Sequence, residues 1–220
     1  MSSTFTTLLA RDLRNLLTGA HGAGAALPLL FFLSIAMLYP FAVGPNPTML
    51  AKTGGGVVWI AALLAAILPL DGLISRDLEM GFFDQFKLRG MSEEWVMSAR
   101  LLAHWLSFGP LLILACFPAS ALLALEQETV RLLVLGLLAG TPGLAAMGII
   151  IAALTASLRS GAALAGLLLI PLALPILIFG AGALGRNDPA TLGFVGAISL
   201  LLVAIAPFAA GASIRAAREG

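Results

Sequence analysis

Charge is what this chain has least of. Only 10% of its 220 residues are Asp, Glu, Lys or Arg, while 60% are hydrophobic; ordinary soluble domains carry about a quarter charged residues. With so few charges to clothe it, the outside of the fold faces lipid. The charges almost cancel, at net +1, which removes the electrostatic reason to expect nucleic acid or an acidic macromolecule as ligand. Cysteine is down to Cys116 alone, excluding an intrachain disulfide framework and any Cys-rich metal site. Its apolar surroundings suit a buried structural thiol. No phosphate-binding loop is present: the nearest imitation, Gly44 to Lys52-Thr53, has Ala51 where glycine must precede the lysine. There is no Cys-x-x-Cys-His, no catalytic triad and no metal-binding histidine pair. The two histidines, His21 and His104, sit at the ends of different helices. Each is a candidate iron ligand, although a membrane histidine more often hydrogen-bonds a neighbouring helix. The residues spell out no active site, so no enzyme is expected. The seven methionines show no paired spacing and read as packing residues.

What is present is a series of long apolar stretches bounded by charge. Those free of Asp, Glu, Lys and Arg run 15–51, 53–70, 101–125, 132–158, 160–185 and 189–214. A helix needs about 20 residues to cross about 30 Å of hydrocarbon, so each stretch holds one crossing. The spans are placed near 24–44, 54–71, 98–124, 132–157, 161–184 and 190–213. His21, Pro40, Pro45 and Pro47 argue for one helix with flanking loops in the first stretch. The start of the chain does not read as a cleaved signal, since Arg11, Asp12 and Arg14 follow a polar opening and the next apolar run is too long.

Orientation follows from Lys and Arg. With the N-terminus inside, the cytoplasmic segments hold Arg11, Arg14, Arg76, Lys87, Arg89, Arg100, Arg159, Arg215 and Arg218, and the outer loops only Lys52, Arg131 and Arg186. Both termini are therefore expected to be cytoplasmic. Residues 1–220 read as a single membrane domain with two segments that do not span it.

The first of these is 2–18. It gathers Phe5, Leu8, Leu9, Leu13, Leu16 and Leu17 on one helical face, as an amphipathic helix on the inner membrane surface does. Asp12 falls within that face. Either it pairs with another protein group or it lies near the interface and is solvated. The second is 71–91, the only sizeable cytoplasmic loop. Ile74, Leu78, Phe82 and Phe86 recur every four residues, with Asp77, Gly81 and Asp84 on another face of the same expected helix. It is either a docking element for a cytoplasmic partner, with an aromatic ridge and an acidic stripe, or a loop helix resting on lipid headgroups. Ser92, followed by Glu93 and Glu94, reads as the cap of the third crossing.

Gly136 and Gly140, then Gly148, Ala152, Ala156 and Ser160, form small-residue stripes at four-residue spacing along the fourth crossing. In lipid such stripes let helices approach closely, within the chain or across a homodimer seam. Pro171 and Pro175, followed by Gly180, Gly182 and Gly185, mark the outer half of the fifth crossing as broken or re-entrant.

Several runs resemble a known family. Pro28-Leu-Leu-Phe-Phe-Leu33, Pro40-Phe-Ala-Val-Gly-Pro45, Ala103-His-Trp-Leu106, Gly140-Thr-Pro142, Ala152-Ala-Leu-Thr155 and Leu169-Ile-Pro-Leu-Ala-Leu-Pro-Ile-Leu-Ile-Phe-Gly180 are similar, in order and over nearly the whole chain, to the haem exporter protein B family of cytochrome c maturation. The departure lies in the loop. Where that family tends to read Asp-x-Glu-Asp-Gly-Ser-Leu-Glu, this chain has Asp77-Leu-Glu-Met-Gly-Phe-Phe-Asp84. The resemblance implies an all-α, ABC-2-like permease subunit in the inner membrane of a bacterium. It implies an ATPase on a separate chain, in two copies, a second copy of the permease, a haem-handling membrane subunit and a small single-span subunit. It also implies that Asp77, Glu79, Gly81, Phe82, Phe83, Asp84 and Phe86 meet the ATPase. Haem would be cargo, either crossing the permease or leaving a neighbouring subunit on a loaded chaperone; the want of an evident ligand pair favours the second. Two other readings stand beside it: an exporter of lipid, glycan or drug, and a static scaffold.

Overall fold

The computed structural model of the chain describes residues 2–18, 24–70, 73–158, 161–186 and 188–219. Those residues form helices and no strand: α1 (Ser2–Thr18), α2 (Ala26–Val43), α3 (Pro47–Ile67), α4 (Ser75–Glu79), α5 (Phe82–Leu88), α6 (Glu93–Leu122), α7 (Gln127–Thr155), α8 (Gly161–Arg186) and α9 (Thr191–Glu219). A 3-10 turn, Leu68–Leu70, extends α3. Among the described residues, six helices are long and apolar enough to cross a membrane, namely α2, α3, α6, α7, α8 and α9. The chain is a polytopic membrane protein.

Two helix starts come earlier than the charge boundaries implied. Asn46 caps α3, its Oδ1 accepting from the backbone N–H groups of Thr48 (3.1 Å) and Met49 (3.2 Å), and Pro47 occupies the first turn, where no amide hydrogen is needed. Lys52 therefore lies on the helix. Ser92 caps α6 by accepting from Trp95 N–H at 3.4 Å, so the third crossing begins at Glu93. Asn46→Ala is expected to lower the thermal stability of the detergent-solubilised chain by about 1 kcal/mol, since two amide hydrogens lose their acceptor.

The bundle is built around α7, which packs against α3, α6, α8 and α9. Because hydrophobicity does not drive helices together in lipid, close fit and interhelical hydrogen bonds must. The largest fitted group is Trp59 of α3, 1% exposed. Its indole lies in a slot walled by glycines: a methyl group at Gly136 would stand 3.0 Å from the ring, at Gly140 2.7 Å and at Gly180 2.4 Å. Tyr39 donates to Thr53 Oγ1 (2.9 Å), tying α2 to α3, and Trp105 Nε1 donates to Thr141 Oγ1 (3.1 Å), tying α6 to α7.

The fifth crossing differs from expectation. α8 runs as one helix from Gly161 to Arg186, through Pro171, Pro175 and Gly180. Each proline removes one backbone donor, a loss neighbouring turns can absorb. Gly180 is used for contact with Trp59, and Gly182 and Gly185 face open space.

Candidate functional site

Two ion-paired clusters lie at one end of the bundle, where α1, α4, α5, the start of α6 and the end of α9 converge. At the centre is Arg100, two turns into α6 and 2% exposed. A buried guanidinium is tolerated only when its donors are matched, and α1, α4 and the turn before α4 supply the acceptors. Arg100 Nε donates to Asp12 Oδ2 of α1 at 3.1 Å, Nη1 to the Leu73 carbonyl at 3.0 Å, and Nη2 to Asp77 Oδ2 of α4. Arg11 closes the figure. Its Nη2 donates to Asp77 Oδ1 at 2.7 Å, its Nη1 lies 3.5 Å from Asp12 Oδ1, and its guanidinium stacks 3.9 Å over the Phe82 ring. Arg100, Asp12, Arg11 and Asp77 thus make a closed, charge-neutral ring of alternating sign. Beside it lies a cavity of about 30 Å³, room for a water and no larger ligand.

A second cluster lies at the end of α9. Arg218 donates to Glu93 Oε1 at 2.8 Å and to Asp84 of α5, while Arg215 donates to Glu94 and lies 3.4 Å from Glu93 Oε2. This cluster opens to solvent at Asp84 and Arg215, 60% and 40% exposed, while Glu93 and Arg218 are largely covered, so salt screens its outer pairs more than the Arg100 ring. Together the clusters fasten the segment between the second and third crossings to three other parts of the chain.

The family model described as CcmB protein matches residues 3–217 of this chain. Heme exporter protein B of Paracoccus denitrificans is 43% identical over 213 residues, covering 94% of this chain and 97% of that one. Heme exporter protein B of Pseudomonas aeruginosa is 38% identical over 220 residues, 98% of each, and that of Escherichia coli K12 is 37% identical over 209 residues, 89% and 91%. The chain belongs to the CcmB family.

In this CcmB-family chain the segment is two short helices, where the periodicity implied one. Gly81 adopts φ +65, the left-handed region, and its N–H bonds the Leu78 carbonyl at 3.1 Å to close α4 before α5 begins. The break turns the aromatic ridge inward. Phe83 and Phe86 are buried, Phe82 is half-buried beneath Arg11, and Ile74 is sealed in the core. Asp77 is likewise buried in the ring, leaving Glu79 exposed and Asp84 exposed but paired with Arg218. The outward face belongs to other residues: Met80 is 66% and Leu88 88% exposed. Asp71, where the expected segment began, lies outside the described residues, as do His21 and Ser160.

His104 is wholly buried on α6, its ring against Phe108 and its Nε2 3.2 Å from where a methyl at Gly148 would stand. Among the described residues neither ring nitrogen has a hydrogen-bond partner, and the side chain is not exposed. Of the small-residue stripe, Gly136 and Gly140 face Trp59, Gly148 faces Leu70 and His104, Ala152 is buried and Ala156 half-buried. Arg100 was visible only as a topology marker, and its role had one sequence signal: Asp12, a carboxylate on an apolar face.

Proposed function

We propose that this chain is the non-catalytic permease subunit of an ABC-type haem export complex of cytochrome c maturation. It sits in the bacterial inner membrane with both termini cytoplasmic, and its segment 71–91 receives the motion of a separate ATP-binding subunit. The assembly contains two copies of each, with a haem-handling membrane subunit and a small single-span subunit beside them. Haem is the cargo of the assembly, and this chain's share is mechanical. The sealed surroundings of His104 favour release of a haem-loaded chaperone by motion over passage of haem through these helices.

One observation carries the reading. The segment at the charged end is tied to α6 and α1 through the buried Asp77, which meets Arg100 and Arg11, and to α9 through the exposed Asp84–Arg218 pair, yet presents Met80 and Leu88 outward. A loop merely resting on headgroups needs no such bracing, whereas a lever needs a stiff base. The docking face is Glu79, Met80 and Leu88, and Phe83 and Phe86 stiffen it from behind.

Met80→Asp and Leu88→Asp test this. Each removes exposed apolar surface worth about 1.5–3 kcal/mol when buried on a partner, and each leaves the core behind the segment intact. The expected result is at least about a tenfold fall in co-purified ATP-binding subunit and in mature c-type cytochrome, with normal amounts of this chain in the membrane. Wild-type capture and wild-type cytochrome in both variants would remove the reading.

A further inference from the structure

α1 has the composition of a surface anchor, but its inward face is not simply greasy. Leu8 and Asp12 are its buried positions, at 4% and 6% exposure. Phe5 meets Trp95 of α6 edge-on, with ring centroids 5.4 Å apart. The most outward leucine described, Leu17, is 44% exposed. α1 is thus docked on the protein, and what holds it there is the same guanidinium that holds α4.

Arg100 is shared between Asp12 of α1 and Asp77 of α4, and Arg11 of α1 reaches Asp77 as well. If the segment moved while α1 stayed, the ring would open at the Arg11–Asp77 pair and Arg100 would have to abandon one carboxylate. Leaving the largely buried Asp12 or Asp77 without its guanidinium is costlier than the loss of a surface pair. If α1, the segment and the part of α6 that carries Arg100 move together, no pair of the ring breaks.

We infer that α1 is a working part of the coupling device, with Arg11 and Asp12 as positioning residues that force it to travel with the segment. This rests on the coupling role proposed above, and it adds that the motion enters the bundle through α1 and α6 jointly.

The test uses the full assembly in membrane vesicles, reading subunit content, ATP hydrolysis and the yield of mature c-type cytochrome. In Asp12→Asn the pairing of α1 with Arg100 weakens while Phe5 and Leu8 still dock. The expected outcome is an assembled complex that hydrolyses ATP but yields about tenfold less cytochrome. A second variant decides the matter even if Asp12→Asn fails to assemble. Asn15 of α1 and Arg76 of α4 line the small cavity beside the ring. Asn15→Cys with Arg76→Cys, bridged by a reducible bifunctional reagent, should keep cytochrome yield within about twofold of the unbridged form, because the bridge joins parts that already move together. Full yield from Asp12→Asn overturns the inference, and so does a bridge that stops output until reduced. Failure of the docking reading looks different: Met80→Asp and Leu88→Asp would then capture the ATP-binding subunit normally, whatever α1 does.

Discussion

Arg100→Leu is expected to leave little of this chain in the membrane. The substitution keeps an apolar side chain and deletes the buried guanidinium that donates to Asp12, Asp77 and the Leu73 carbonyl at once. Removing one partner of a buried ion pair costs about 3–5 kcal/mol, because the remaining charge is stranded. Here two carboxylates lose their buried partner, although Arg11 still serves Asp77 at 2.7 Å and lies 3.5 Å from Asp12. Total stabilities of about 5–15 kcal/mol cannot absorb that comfortably. Arg100→Lys keeps the charge but not the planar fork, since one ammonium cannot address three acceptors from different elements. An intermediate loss of about 1–3 kcal/mol follows. The diagnostic variant is the triple substitution Arg100→Leu, Asp12→Asn, Asp77→Asn. It removes all three charges together, leaving Arg11 one-third exposed and open to water, so stability should return toward wild type. Membrane abundance and thermal unfolding in detergent read all three. If Arg100→Leu accumulates and melts as wild type does, the ring has no structural role.

The second large effect centres on Trp59. Trp59→Ala empties a slot shared by α3, α7 and α8, and truncation of a fully buried tryptophan costs about 3–5 kcal/mol. The same slot fails from the other side. A methyl at Gly180 would stand 2.4 Å from the indole and one at Gly140 2.7 Å, distances that force the ring or a helix to shift at about 1–3 kcal/mol each. Gly182→Ala, two residues along α8 with nothing within 4 Å of its position, should be silent in the same thermal assay. The slot also predicts suppression: Gly180→Ala joined to Trp59→Leu should be less harmful than the sum of the two, since the smaller side chain makes room for the methyl. Strict additivity would mean that the indole and the glycine do not share one space.

These two sites divide what the chain carries openly from what it carries only when folded. The six crossings were legible because the hydrocarbon layer imposes a length on every apolar run and charge ends it, both properties of neighbours along the chain. The Ser92 cap was legible for the same reason, whereas the start of α3 at Asn46-Pro47 escapes a reading that ends the apolar run at Lys52. The small-residue positions on α7 were visible, but not that Gly136 and Gly140 hold Trp59, because a stripe shows closeness without naming its occupant. Helical periodicity ran straight through Gly81, where the backbone instead turns left-handed and redirects Phe83 and Phe86 inward. Pro171 and Pro175 pointed to a break that the surrounding turns of α8 absorb.

Composition, hydropathy and the order of the family's runs determine by themselves that this is a polytopic membrane chain of the CcmB family. Asp12 on an apolar face left two readings open, a protein partner for the N-terminal helix or solvation at the interface. The partner's identity belongs to the tertiary structure: Arg100 lies 88 residues away, and Arg218 lies 134 from Asp84. Pairings across such distances leave no trace in local periodicity, since only packing brings the groups within reach of one another. Hydropathy placed the helices in the membrane, and a few buried charges decided how their ends are joined.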